Sequence, residues 1–507
     1  MAGMDTGFLS DEPTRYQALC RPDRIACVEL ATGARLTFRE LDARIANCAA
    51  RLHSLPGGAI GERVAYIGRN SIDLVVLAFA CHRAGAIFVP LNWRLTGVEL
   101  RALIAGCTPR LLIHDTEFSS AATEAARDAV GLELHARLRA QVFDTTHTAS
   151  VPPARLDPAA PCTLLYTSGT TGRPKAAIIT RGNAFFSALN FAFIGELGPD
   201  CTILSDGPMF HTVGLFATVR TAMTVGATLV ISDRFAPAAT LRALSDPALG
   251  ITHYFGVPQI ALALRNHPDY ARADLSRLRA IFSGGAPLSR SLLEAFLADG
   301  VTLVNGYGLS EVGTVMHMPV DAAMLATRPG SVGLPAPLID VRIVRLDGSE
   351  AGMDEVGEVW LRGPSVTPGY WHDPQATAAA FADGWYRTGD LARRDADGFH
   401  WLVDRLKDIY ISGGENVYPA EVENVLWSHP DIADVAILGA PHSVWGETGV
   451  AFIVLREGAT LDAAAVLEFC AARLARYKHP TAIRFVDAVP RTASGKIQRA
   501  VLRDQLR

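Results

Sequence analysis

Lysine is nearly missing from this 507-residue chain: of 47 lysine and arginine residues only four are lysine, Lys175, Lys407, Lys478 and Lys496. Where arginine supplies almost all the positive charge, a retained lysine marks a position that wants a compact, flexible ammonium rather than a planar guanidinium. Basic excess is absent too, and a formal net charge of -5 argues against a nucleic-acid partner held by bulk charge. The eight cysteines form no Cys-x-x-Cys pair, so neither a zinc cluster nor a secreted disulfide framework is expected. They read as buried, reduced and structural. Residues 1–10 lack a basic start followed by an apolar stretch, which speaks against a secretory signal. Residues 247–264 are free of Asp, Glu, Lys and Arg but are interrupted by Gly250, His253, Gly256 and Pro258, so no transmembrane segment is read there. A cytoplasmic location is the expectation.

The length exceeds what one hydrophobic core usually organises, so two units of unequal size are expected. Thr37 and Glu40 form a capping-box pattern, after which Leu41, Ile45, Cys48 and Leu52 recur at helical spacing. Strands are predicted at 64–67 and 86–89 around a helix over 71–82, and again at 228–232, 278–283 and 301–305. This alternation gives an α/β fold with parallel-rich sheets in a large N-terminal domain, residues 1–403. Residues 149–161 read as a connector. From residue 404 onward the pattern becomes a compact α+β unit, 404–507, with helices over 419–428 and 461–475 and strands over 435–438, 450–455 and 483–485.

The strongest chemical signal runs from Tyr166 to Lys175: Tyr166, Thr167, Ser168, Gly169, Thr170, Thr171, Gly172, Arg173, Pro174, Lys175. Hydroxyls and backbone N–H groups donate to phosphate oxygens, glycines permit tight turns, and the lysine neutralises charge. It is a polyphosphate loop, though not the Walker form, in which lysine directly follows the last glycine. It lies between two apolar runs, 162–165 and 176–179, which a flexible linker seldom does.

This segment resembles the signature of the adenylate-forming superfamily, which contains acyl-CoA synthetases, peptide-synthetase adenylation domains and firefly luciferases. The family's other motifs follow in order: Gly306-Tyr307-Gly308-Leu309-Ser310-Glu311, Tyr386-Arg387-Thr388-Gly389-Asp390, Asp404-Arg405-Leu406-Lys407-Asp408, Ser412-Gly413-Gly414-Glu415-Asn416-Val417-Tyr418-Pro419 and Arg491-Thr492-Ala493-Ser494-Gly495-Lys496. The match spans essentially the whole chain and is similar in look to bacterial fatty-acyl and aryl CoA ligases. It departs from the common pattern at Ala176, where glycine is frequent, and at Ser310, where threonine is usual.

Glu311 offers a hard oxygen ligand for Mg²⁺ bridging phosphates, with the Ser310 hydroxyl beside it. The resemblance places Tyr307, Gly284, Gly285 and Ala286 around adenine, and Asp390 with Arg405 on the ribose. It makes Lys407 the hinge on which the small domain turns between half-reactions. Gly413 and Gly414 would line the pantetheine tunnel after that turn, where a missing Cβ permits close approach, with Trp445 and Lys478 near coenzyme A. Lys496 resembles the lysine that bridges the carboxylate and the α-phosphate, where an ammonium favours the charge-dispersed transition state over the ground state. For the acid pocket the candidates are Phe210, His211, Val213, Phe255, Gly256, Gly284, Gly308, Val312 and Met316, with His211 gating or orienting the acyl group.

The expected function is therefore an ATP- and coenzyme A-dependent acid–thiol ligase acting on a small carboxylic acid, fatty or aromatic. No pocket arginine is evident for a second carboxylate, which disfavours a dicarboxylic acid. The motifs specify attack of an oxyanion on phosphorus without naming the oxyanion or the acceptor. An amine or a carrier protein as acceptor stays open, although no carrier domain follows Arg507, and so does a homodimer. A catalytically dead nucleotide-binding protein is the non-enzymatic alternative, opposed by the presence of Glu311, Asp390, Arg405 and Lys496 together.

Overall fold

A computed structural model describes residues 12–136, 157–167, 174–286, 288–492 and 495–506. Three sheets build the larger part. A nine-stranded sheet has six parallel strands at its centre, in the order Leu303–Leu309, Ala280–Ser283, His253–Phe255, Thr202–Ser205, Thr228–Ile231 and Ile25–Glu29. Antiparallel strands flank it: Gly313–His317 and Leu334–Pro335 at one edge, Arg35–Thr37 at the other. A six-stranded sheet runs Glu133–Ala136, Leu111–His114, Arg63–Ile67, Ile87–Leu91, Pro161–Thr167 in parallel and ends with the antiparallel Lys175–Thr180. The third sheet is antiparallel and holds Trp385–Arg394 against Gly357–Arg362 and His400–Arg405.

Local sequence explains the helices between the two large sheets. Phe38–His53 starts at the capping box, in which Thr37 accepts from the Glu40 N–H and Glu40 accepts from the Thr37 N–H, and it buries Leu41, Ile45, Cys48 and Leu52. Ile72–Ala84 is capped by Ser71, stopped by left-handed Gly85 (φ +77°), and buried on all sides, as a helix sandwiched between sheets must be. These helices join the faces of both sheets in one apolar core.

The expected helices and strands are present with boundaries moved by a few residues; the helix expected over 461–475 is Ala463–Ala471, opening where Asp462 caps it by accepting from the Ala465 N–H. The cysteines need a correction: all eight are free, but Cys20 is exposed at the end of Pro13–Cys20. Most of the connector, 149–156, lies outside the described residues. No helix among the described residues is long and apolar enough to cross a membrane.

After Arg405 the chain enters a fourth sheet, whose Ile432–His442 and Gly446–Leu455 form a long hairpin with Tyr410–Ser412 and Pro480–Phe485 on the second of these. Pro419–Trp427 and Ala463–Ala471 close a core of Val422, Leu426, Val435, Ile437 and Ile453. The last helix, Arg499–Asp504, is tied back through Arg499, which donates to Glu423 at 2.6 Å and lies 3.5 Å from Asp408.

Candidate active site

A cavity of about 670 Å³ opens where the parallel strands end, and loops from all three large sheets and the C-terminal segment converge on it. Its wall includes Thr167, Lys175, His211, Gly284, Gly285, Tyr307, Gly308, Ser310, Glu311, Arg405 and Lys496, so distant stretches of the sequence meet in one place.

The segment expected to bind phosphate is bounded by two described residues: Thr167 and Lys175 are register partners at the ends of Pro161–Thr167 and Lys175–Thr180, and the Thr167 hydroxyl donates to the Lys175 carbonyl at 3.3 Å. Ser168, Gly169, Thr170, Thr171 and Gly172 lie outside the described residues. The Lys175 ammonium stands 5.3 Å from the Tyr370 ring centroid. Tyr370 in turn donates to Glu311 Oε1 at 3.1 Å and meets the Tyr386 hydroxyl at 3.2 Å. Glu311 sits at the tip of the hairpin Leu303–Leu309/Gly313–His317 and is held by its own carbonyl, which accepts from Thr367 N–H at 2.7 Å. Its Oε2 has no bond to a described residue and remains for a ligand.

Backbone crowding demands glycine on this hairpin. A Cβ at Gly308 would lie 2.5 Å from the Gly313 carbonyl oxygen, and one at Gly284 would lie 2.9 Å from that of Gly306. Asp390 is not itself on the cavity wall, but both of its oxygens engage residues that are. Tyr307 donates to Oδ2 at 2.7 Å, and Arg405, its register partner across the strands, approaches Oδ1 at 3.1 Å.

Lys496 reaches the cavity from a loop whose Gly495 (φ +81°) packs against Gln259 and Val257 of the large domain. Burial and the positive charge of Arg405 lower the Lys496 pKa, opposed by Asp390 and Glu311. His211 is affected more strongly: burial, Lys496 and Arg94 bring it down to about 4, so its ring is neutral, and its Nε2 has no hydrogen-bond partner. The ring packs 4.7 Å from Phe210. Directly after it Val213–Arg220 is wound as a π-helix, a widened turn that brings Val213 and Ala217 to the cavity.

Several expected residues stand elsewhere. Gly256 and Val312 do not line the acid pocket: a Cβ at Gly256 would press 2.7 Å from Ile260 Cγ2, and Val312 is buried in the core below the hairpin. Ala286 is off the wall as well. Lys407 is exposed on the turn after His400–Arg405. Gly413 (φ +63°) and Gly414 (φ +89°) turn between Tyr410–Ser412 and Glu415–Val417, away from the cavity. The Gly413 N–H donates to the Trp445 carbonyl at 2.8 Å, with the indole stacked on the glycine, and Lys478 is paired with Glu421 at 2.6 Å.

Sequence reasoning did not find Ser187, Phe191, Phe282, Thr314 and His317, which also line the cavity, nor Tyr370. For Tyr370 a signal existed in the turn Pro368-Gly369-Tyr370-Trp371. The others carry none.

Comparison with known proteins agrees with this geometry. The family model described as AMP-binding enzyme matches residues 14–371, and the model of the AMP-binding enzyme C-terminal domain matches 421–496. A feruloyl-CoA synthase from Amycolatopsis sp is 39% identical over 93% of this chain and 94% of its own length. An indoleacetate–CoA ligase from Aromatoleum aromaticum is 39% identical over 92% of this chain and 94% of its own. The crystal structure of ATP-bound MatB from Rhodopseudomonas palustris superposes with a TM-score of 0.90 at 30% identity, covering 98% of each chain. With a matching family model over more than half its length and relatives at 39% identity across nearly the whole of it, the chain belongs to the AMP-binding enzymes of the adenylate-forming superfamily.

Proposed function

We propose that this chain is an AMP-forming acid–CoA ligase that activates an aromatic carboxylic acid as its adenylate and passes the acyl group to coenzyme A. One observation carries the assignment: Lys496, from the C-terminal unit, shares a single cavity with Glu311, Arg405 and His211. On this reading the ammonium serves both the attacking carboxylate and the α-phosphate, and the acid attacks phosphorus while pyrophosphate leaves.

Glu311 fits a hard divalent cation, because one carboxylate oxygen is oriented by Tyr370 and the other is free, with Ser310 on the same wall. No group of three His, Cys, Asp or Glu among the described residues forms a complete cage, so the remaining oxygens would come from phosphates and water. Mg²⁺ bound there neutralises phosphate charge. Asp390, held by Tyr307 and Arg405, takes the ribose; Thr167 and Lys175 frame the loop for the phosphates. His211, neutral and buried, orients the acyl group without competing with Lys496 for the carboxylate.

For the second step the unit beginning at about residue 404 turns on Lys407, withdrawing Lys496 and presenting Gly413 and Gly414 to the thiol arm of coenzyme A. The two faces are already distinct, since these glycines lie away from the cavity that holds Lys496. An aromatic acid is favoured over a long aliphatic one because Phe191, Phe255 and Phe282 pack together across the inner end, with ring centroids 5.0 to 6.5 Å apart. The names of the two relatives at 39% identity agree with an aromatic substrate. ATP and coenzyme A are both cytoplasmic pools, and the proposal places the enzyme there.

The test is acid-dependent pyrophosphate release, followed by thioester formation on adding coenzyme A. Glu311→Ala is expected to abolish the metal-dependent first step while the protein stays folded. Normal ATP-dependent turnover by that variant would refute the metal assignment, and no pyrophosphate release by the unaltered enzyme with any acid would leave a nucleotide-binding protein without catalysis.

A further inference from the structure

Around His317 the acid pocket is walled by apolar side chains, Phe191 and Phe282 among them. The wall is one face of the sheet: Phe255, Phe282 and Val304 are register neighbours on adjacent strands, and Gly306 follows Val304 at a two-residue step on the same face. His317 pairs with Gly306 across the edge hairpin. Because Gly306 carries no side chain, the face is open beside the imidazole, and a Cβ there would stand 2.8 Å from His317 Cβ. The helix Arg181–Ile194 covers this slot with Phe191, while its Ser187 lies over Gly313 near the hairpin tip.

The chemistry of His317 is set by its surroundings. Nδ1 meets the Met318 carbonyl, which can only accept, so Nδ1 carries the hydrogen. Burial holds the ring neutral, with its pKa down to about 4 against the Met318 bond. Nε2 is then a bare acceptor. It is buried and has no hydrogen-bond partner among the described residues, and Phe191 and Phe282 pack around the ring at centroid distances of 6.3 and 5.3 Å. A buried acceptor left unpaired is costly, and natural sites seldom keep one without a ligand. Its place in the hairpin gives the reach: Gly306 opposite His317 is three residues from Leu309 opposite Gly313, about 10 Å along the strand at the usual rise. Glu311, at the phosphate end, lies between Leu309 and Gly313 at the tip.

We infer that His317 reads the end of the acid remote from its carboxylate, so that the preferred substrate is a planar aromatic acid with a hydrogen-bond donor there, such as a phenolic hydroxyl or a ring N–H. This rests on the ligase reading above and narrows it. His317 takes no part in the bond-making steps; it is a specificity residue.

Matched acids test it: 4-hydroxycinnamate against cinnamate and 4-methoxycinnamate, with octanoate as an aliphatic control, each assayed for pyrophosphate release and thioester yield. The unaltered enzyme is expected to prefer the donor-bearing acid in kcat/KM by about tenfold or more. In His317→Phe, which keeps a ring and removes the acceptor, the ratio should fall to near one; in His317→Gln, whose amide oxygen accepts, part of it should return. Equal kcat/KM for cinnamate and 4-hydroxycinnamate in the unaltered enzyme overturns the inference, whatever the variants do. So does a preference that survives His317→Phe. Should octanoate alone be activated, acid–CoA ligation stands while the aromatic preference and the inference both fall; should no acid release pyrophosphate, the ligase reading itself falls.

Discussion

Replacing Asp206 by asparagine should change how the stability of this protein depends on pH. Asp206 follows the strand Thr202–Ser205, five residues before His211, and is 2% exposed. Its Oδ2 accepts from Thr240 at 2.6 Å and from Tyr254 at 3.2 Å, while Oδ1 is buried without a partner. Burial outweighs these hydrogen bonds and raises the carboxyl pKa from 3.8 to about 6. The folded chain therefore binds this proton more tightly than the unfolded chain, so stability is greatest below the unfolded pKa and falls as pH rises through the folded one. Above pH ~7 the buried charge costs roughly 3 kcal/mol, and about half of that, ~1.4 kcal/mol, develops between pH ~5 and pH ~7.5. Asp206→Asn removes the titration and leaves an amide whose cost is the same at both values. Urea unfolding of both proteins at the two pH values reads the difference directly, and the variant should gain about 1.4 kcal/mol on the parent over that interval. A stability difference independent of pH, or one that moves against the variant as pH rises, would refute the account of this carboxyl group.

Lys496→Ala should lower adenylate formation by about 10²- to 10³-fold, the usual loss for one preorganised charge donor, yet spare thioester formation from a supplied acyl-adenylate; equal damage to both steps, measured separately, would contradict the alternation of faces. Lys407→Pro should do the reverse, losing at least about tenfold in the thioester step, because proline fixes φ at the turn. The Lys407 N–H is in no hydrogen bond to a described residue, so the fold should tolerate the change, and a wild-type second step would count against a hinge there. Gly308→Ala should depress acid-dependent pyrophosphate release, since its Cβ would push the Gly313 carbonyl and shift the tip that bears Glu311; unaltered activity would mean that the hairpin is more compliant than its packing implies.

The parts of the site that were legible in the sequence are those in which the chemistry demands a local composition. A polyphosphate needs hydroxyls, glycines and an ammonium within a few residues, and the segment from Thr167 to Lys175 supplies them side by side. The capping box at Thr37 is local in the same sense, which is why the helix that follows it was readable. Asp390 and Arg405 looked like ordinary surface charges until the resemblance grouped them, and the structure pairs them across two strands. The inner pocket was illegible for the opposite reason. Ser187 and Phe191 on a helix and His317 on a strand share a cavity wall only because tertiary packing superposes them, and His317 seen alone is indistinguishable from a core histidine. Val312 was misassigned to the pocket because it adjoins Glu311, although the tight turn at Gly313 (φ +81°) sends its side chain into the core.

The partners of Asp390 also show how the proposed ribose site is prepared. Tyr307 and Arg405 each engage one of its two oxygens, and a carboxylate offers about four lone-pair sites. Acceptor positions therefore stay open on a group already oriented from both sides, and a sugar hydroxyl arriving there would add a bond without rearranging the carboxylate. Such a group works like a socket cut before the plug arrives: the entropy of fixing it is lost once, in folding, and not again at each binding event.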